Sequence, residues 1–518
     1  MILSFTRAPW EGKTSIYSYI KEQGSDIDGT LPDDEEFWAG GKLRWVAGGL
    51  DGAFGHHAAA GVADEEVSGL VSLLAKQTRK PTNTKRKEIY QKLIKEDIIG
   101  QIDNVLNEIR RNPAIQAAPL FNEAQWFAEH AAHRNAVKFG IALLGLFQNE
   151  QLKDLLMTLG RHDEFTLYAA VAIQNGMENS NEILFELAKN VNGWGKIHLV
   201  ERLEPNTPEI KAWLLRHGCQ NSVMNEYLAC ICARNGELHE AISVDRVDRD
   251  LFEGATDIIQ ALLYGGPAED IDDYEPAPQV TTDYVRLADE MSVRVKHLSV
   301  VLDILDFLDR DDEQWEKRES IGWTEKRRSD VRAACEAIIV QPRWTDLIQE
   351  AVNSTDSVEH YYGVACATKL GIDVWDVLYA QLSDNPMQEE LYLNLMKTDE
   401  PDRVRKLVQF AEERLPLDEI AAGPGDEMGF GEAFAAHRCL GSVVQSLDRF
   451  PGTGVELIAT ALNSPVVNNR NMALYALEAW ETAVWGDRLR EMLMHLAAKE
   501  TDETVKERIA NLVEERGL

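Results

Sequence analysis

Three stretches between Leu155 and Gly236 repeat at a spacing of about 30 residues, a period typical of helical-repeat arrays, and no other feature of the chain restricts its fold as strongly. GRHDEFTLYAAVAIQNG ends at Asn175-Gly176, KNVNGWGKIHLVERLEP at Glu204-Pro205, and HGCQNSVMNEYLACICARNG at Asn235-Gly236. Tyr168, Ile197 and Tyr227 hold matching places in the successive stretches. Each stretch reads as a helix, a short polar turn, a second helix and a breaker. A hairpin of that size cannot bury its apolar face alone, so its neighbours must stack on it. The expected fold is therefore all-α, an α-solenoid of stacked helical hairpins.

The same beat returns with Tyr362 and Tyr392, one period apart, followed by breakers at Gly371 and Pro401. Pro465 then precedes a polar turn and an Ala/Leu-rich helix from about Arg470. This arrangement resembles HEAT or armadillo repeats in degenerate form. Hydrophobic residues make up 44% of the 518, enough for an extended core. Runs of alternating Val, Ile and Thr closed by Asn-Gly turns are missing, whereas Leu155, Leu156 and Leu159 recur at helical spacing.

Charge narrows the partners. With 87 acidic and 53 basic residues the formal charge is −34, a field that opposes nucleic-acid binding. The one basic stretch, Lys76 to Lys87, is broken by Pro81 and reads as a solvated interhelix loop. The longest uncharged apolar run, Phe139 to Asn149, is too short to cross a bilayer. MILSFTRAPWEG does not read as a secretion signal. Cys219, Cys230, Cys232, Cys335, Cys366 and Cys439 read as small buried hydrophobes in a reducing compartment. Together these features place the expectation at a cytoplasmic protein without a membrane or nucleic-acid partner.

Composition suggests four regions. Residues 1–115, with a glycine cluster after an acidic loop, read as an atypical N-terminal cap. A repeat block covers 116–265, an acidic, proline-containing linker 266–283, and a second repeat block 284–518. The glycine-rich segment 423–432 interrupts the last block, as a mobile binding loop or a long connection.

Few motifs carry chemistry. Gly12-Lys13-Thr14 lacks the earlier glycine of a phosphate loop, since Arg7 occupies that place. Asp303, Asp306 and Asp309 at three-residue spacing read as a solvated helix face. His130 and His133 stand three apart, a spacing that puts both on one face of a continuous helix and suits a shared metal. His56 and His57 could approach from the glycine-rich segment, so His56, His57, His130 and His133 form the candidate metal set. The competing reading is a packing and hydrogen-bonding pair on an Ala-rich helix.

WVAGGLDGAFGHH (45–57), FAEHAAHRNAVKFGIALLGLF (127–147) and GRHDEFTLYAAVAIQNG (160–176) resemble bacterial proteins of Bacillus relatives that carry the name limonene hydroxylase. That resemblance implies oxygen insertion into a monoterpene, which requires a haem, flavin, iron or copper centre. Two functions are thus expected. The first is a non-enzymatic scaffold or adaptor that binds another protein or peptide segment along an extended groove and needs no cofactor. The alternative is a metal- or cofactor-dependent monooxygenase of the limonene hydroxylase type, with a metal ion on the histidine set.

Overall fold

The computed structural model of the chain describes residues 7–24, 27–40, 44–57, 64–95, 98–311 and 313–518, with the side chains of 54–57 and 64–66 left aside. Among the described residues the named elements are helices, and the one β-bridge joins Glu427 to Val466. The expected all-α fold is present. Contacts divide the chain into two units, Met1–Val293 with Val300–Gln341, and Arg294–Ser299 with Pro342–Leu518.

The first unit begins with α1 (Ile16–Gln23), α2 (Asp34–Phe37), α3 (Gly49–His57), α4 (Asp64–Arg79), α5 (Asn83–Leu93), α6 (Ile102–Arg111), α7 (Ala117–His130) and α8 (Arg134–Leu144). The three repeated stretches follow as α9 (Lys153–Gly160) with α10 (Asp163–Gly176), α11 (Ser180–Ala188) with α12 (Trp194–Val200), and α13 (Pro208–Trp213) with α14 (Glu226–Asn235). The unit continues through α15 (Leu238–Ile242), α16 (Arg249–Tyr264), α17 (Ala277–Met291), α18 (Val295–Leu308) from Val300 onward, α19 (Trp315–Ser320) and α20 (Glu325–Ile339).

Local chemistry sets these boundaries. Thr207 caps α13 by accepting a hydrogen bond from the Ile210 N–H at 3.2 Å, and Pro208 fills the first helical position, where no N–H is needed. Each hairpin then buries one apolar stripe: Leu155, Leu156 and Leu159 on α9, Ile183, Leu184 and Leu187 on α11. Each such leucine or isoleucine contributes about 1.5–3 kcal/mol when fully buried. The second helices α8, α10 and α12 pack on one another in sequence order, as do α14 and α16. Tyr168 and Ile197 are buried at this seam, and Tyr227 is half-buried.

The second unit has α21 (Arg343–Val352), α22 (Ser357–Lys369), α23 (Trp375–Asp384), α24 (Glu389–Leu395), α25 (Pro401–Arg414), α26 (Leu417–Ile420), α27 (Ala435–Val444), α28 (Val455–Leu462), α29 (Val467–Ala479), α30 (Gly486–Lys499) and α31 (Glu503–Arg516). Here too, sequence neighbours pack as pairs, α21 on α22 and α28 on α29. No described helix is long and apolar enough to cross a membrane.

Three expectations need correction. The boundary between units does not fall at 266–283. Pro276 and Pro278 instead start α17, Tyr274 is buried, and the Asp272 carboxylate takes both Nε and Nη2 of Arg318 at 2.7 Å. Lys76–Lys87 is mostly helical, with Gln77 and Thr78 buried and Arg86 gripping Glu123 at 2.8 and 2.7 Å while its guanidinium covers Trp126. Asp306 and Asp309 are exposed as expected of a solvated face, but Asp303 is buried, where the Gln260 amide donates to it at 3.1 Å.

Candidate functional site

The histidines picked out by spacing do not converge. Helix α7 ends at His130, Ala131 is extended, and His133 is the N-cap of α8 with φ −133° and ψ 136°. The chain therefore breaks between the two, and the shared helix face is lost. His130 is exposed, 3.9 Å from Glu129. His133 is buried: Nδ1 lies 2.7 Å from the Tyr90 hydroxyl, and Nε2 lies 2.9 Å from Lys13 Nζ and 3.3 Å from Glu36. Burial, reinforced by the Lys13 charge, lowers its pKa and favours the neutral imidazole. The side chains of His56 and His57 lie outside the described residues. Among the described residues no three His, Cys, Asp or Glu side chains come together as metal ligands.

A different constellation forms where α8 begins. Arg134 donates from its backbone N–H to Asp33 at 2.8 Å, from Nε at 3.3 Å and from Nη2 at 3.1 Å, and it also reaches Asp34. Its guanidinium lies 4.3 Å from the Phe37 ring centre. One turn on, Lys138 is fully buried, with Nζ 2.8 Å from Asp51 and 2.6 Å from Glu164. The second Glu164 oxygen accepts the Gly48 N–H at 3.0 Å, and Arg134 stands 3.9 Å away. Burial alone would raise the Glu164 carboxyl, but Lys138, Arg134 and the Gly48 N–H outweigh it and hold the pKa below the usual value.

Two glycines let the N-terminal segment lie this close. Gly48 has φ +69°, and a Cβ there would sit 2.6 Å from the Asp163 carbonyl oxygen. A Cβ on Gly52 would sit 2.2 Å from the Trp194 ring. Residues 28–40 and 44–52 thus rest on the second helices α8, α10 and α12, held by carboxylates on Arg134 and Lys138 and by backbone against Trp194.

Beside this seat lies a cavity of about 860 Å³, within the range of small-molecule sites. Thr30, Trp45, Arg161, Asp163, Asn192 and Trp194 are among its walls. Burial pushes the Asp163 carboxyl up to about 6, although it accepts the Gly195 N–H at 3.1 Å.

Asp163 also belongs to a polar thread that runs across the first unit. Lys138 binds Glu164, Asp163 accepts from Gly195, and Lys196 Nζ donates to the His217 and Gln220 carbonyls at 2.7 and 2.5 Å. The Gln220 amide reaches Asp257, and Gln260, one turn along α16, donates to Asp303. Each link joins one repeat to the next.

Sequence reasoning passed over Arg134, Lys138, Asp163 and Glu164. A signal was available: Arg134 and Lys138 stand four apart in a helix whose other residues from Ala136 to Leu144 are uncharged, so no polar face is left to carry them into water. The three segments 45–57, 127–147 and 160–176 meet here, supplying Gly48 and Asp51, Arg134 and Lys138, and Asp163 and Glu164. No protein-family model matches the chain, and no curated protein matches it.

Proposed function

We propose that this chain is a non-enzymatic helical-repeat binding protein, a scaffold that holds a segment of another protein on its row of second helices. The supporting observation is the seat of residues 28–40 and 44–52 on α8, α10 and α12, where carboxylates at Asp33, Asp34 and Asp51 meet buried cations of the repeats. The chain thereby uses its own segment in the manner by which repeat proteins take a peptide: main chain lying close, and a few charged anchors fixing register.

The test uses a labelled peptide of residues 28–52 and the full chain carrying D33N, D34N and D51N, which loosen the resident segment. The variant should take up the peptide with a Kd of roughly 1–100 μM, about −8 to −5.5 kcal/mol. A peptide with the same three substitutions should not bind. A helical variant that takes up no peptide, while hydrogen exchange shows residues 28–52 released, would remove the support for this reading.

The cavity, to which segments 45–57 and 160–176 contribute Trp45, Arg161 and Asp163, favours a second reading, a small-molecule pocket as the limonene hydroxylase resemblance implies. The described residues do not fit an oxygen-activating metal, because His130 is exposed beside Glu129 and His133 is held by Tyr90, Lys13 and Glu36. Elemental analysis with an absorption spectrum on untagged protein separates the two readings: a metal near one per chain, or a flavin or haem band, favours the enzyme.

A further inference from the structure

The segment 423–432, GPGDEMGFGE, exposes two large apolar side chains, Met428 at 65% and Phe430 at 64% of their full accessibility. Ordinary loops that display such groups are slack. This one is pinned along its length. The Gly423 N–H donates to the Asn463 carbonyl at 2.9 Å, and the Asn463 amide returns a bond to Ala421 at 2.7 Å. Glu427 exchanges backbone bonds with Pro465 and Val467, both at 3.1 Å. Asp426 accepts the Thr501 hydroxyl at 2.6 Å. Arg438 Nη1 ties down the Gly429 and Gly431 carbonyls at 3.1 and 2.7 Å, while its Nε is held by Glu389 at 2.8 Å.

The bed beneath the loop is equally fixed. Arg470 donates to the Ser464 and Pro465 carbonyls at 2.9 and 3.1 Å and makes two fully buried hydrogen bonds to the Glu500 carboxylate at 2.7 and 2.6 Å. Glu500 in turn accepts the Thr501 and Asp502 N–H groups at 3.0 Å. The bonds close a ring, from Arg438 through the loop to Pro465, Arg470, Glu500 and Thr501, and back to the loop at Asp426. Gly429, at φ +81° with its Cβ position 3.0 Å from Val466, lets the backbone turn while its neighbours on both sides face water.

A rigid loop bearing a methionine and a phenylalanine has the makings of a binding anchor, because the entropy of ordering has been lost before the partner arrives. Charge selects the partner. The loop carries Asp426, Glu427 and Glu432, all exposed, and no Lys or Arg. A second copy of a chain with formal charge −34, or an anionic lipid surface, would meet repulsion there. We propose that this loop is a preformed docking knob whose Met428 and Phe430 enter an apolar cleft rimmed by Lys and Arg on a partner protein. The proposal shares with the reading above the premise that the chain binds another protein, but not the site. Failure of the peptide test on residues 28–52 leaves this one standing, and the converse also holds.

The experiment places a photo-crosslinking phenylalanine analogue at position 430 of the full chain in its native cells, with the same group at the exposed Tyr475 as control. The captured protein is then purified, and its affinity is measured for the wild-type chain and for M428S/F430S, E427K/E432K and G429A. The proposal expects the linked peptide to lie in an apolar cleft flanked by Lys or Arg, and at least tenfold weaker binding by the first two variants. The charge reversal should also flatten the salt dependence. G429A, which keeps both anchors but strains the turn, should weaken binding through a slower association. Any of four results overturns the proposal: no cross-link beyond the Tyr475 control, cross-links confined to a second copy of this chain, cross-links to lipid alone, or unchanged affinity in M428S/F430S.

Discussion

Replacing Lys138 by methionine tests the buried charge lattice with little change of volume. The variant removes the ammonium that lies 2.8 Å from Asp51 and 2.6 Å from Glu164 and leaves both carboxylates where water does not reach. Breaking a buried pair costs about 3–5 kcal/mol, because the remaining charge keeps its desolvation without its partner. Glu164 retains Arg134 at 3.9 Å and the Gly48 N–H, which puts the expected loss near the middle, about 4 kcal/mol or nearly a thousandfold in the folding equilibrium. The loss should depend on pH. In the wild type the lowered Glu164 pKa contributes stability that is present above the unfolded value of 4.5 and lost as pH falls through the folded pKa. Without Lys138 the carboxyl pKa rises, so the variant's penalty is full at about pH 7.5 and shrinks toward about pH 5 as the group takes up a proton. Urea unfolding at these two pH values, with peptide-level hydrogen exchange to follow α8 and α10, reads the effect in the first unit alone. A deficit under about 1 kcal/mol, or one equal at both pH values, would refute the reasoning.

Other substitutions separate the roles of individual groups. H130A should change stability by less than about 0.5 kcal/mol, since the side chain is exposed, whereas H133A should cost about 2 kcal/mol by removing the buried ring that joins Tyr90 to Lys13. The H133A deficit should narrow as pH falls below 6.5, because the unfolded wild type gains a proton that the folded imidazole resists; thermal melts across that range check both points. G52A should detach α3 from Trp194 and cost more than about 2 kcal/mol, seen as a red-shifted tryptophan emission and faster exchange in residues 44–52. In the second unit R470L should cost about 3–5 kcal/mol and R470L/E500L much less, a double-mutant comparison that denaturant melts can score.

The hairpins were legible because their signal is local. Leu155, Leu156 and Leu159 mark one stripe, Asn175-Gly176 ends the unit, and the pattern returns in the next stretch. The break before His133 was not, since Ala131 and Ala132 favour helix and His133 is a weak cap. What extends these residues is tertiary: the Ala132 N–H donates to the Tyr90 hydroxyl at 2.9 Å, and the Ala131 carbonyl accepts from Ile16 at 2.9 Å. Likewise Arg134 meets Asp33 across a sequence separation of 101, which no periodicity reports. The proline and acid content of 266–283 misled for a related reason: composition marks a loop, and only a partner such as Arg318 tells whether that loop is packed.

The thread from Lys138 to Asp303 bears on how such a chain can change over evolutionary time. Repeat arrays held by interchangeable apolar faces gain and lose units readily, since any hairpin can follow any other. Here every joint is individual: an ammonium to a carboxylate, a carboxylate to an amide N–H, an ammonium to two carbonyls, an amide to a carboxylate. A hairpin inserted between Gln220 and α16 would strand the Gln220 amide away from Asp257. The hairpins of this unit are therefore not interchangeable at these joints, whereas their surfaces and loops carry no such constraint.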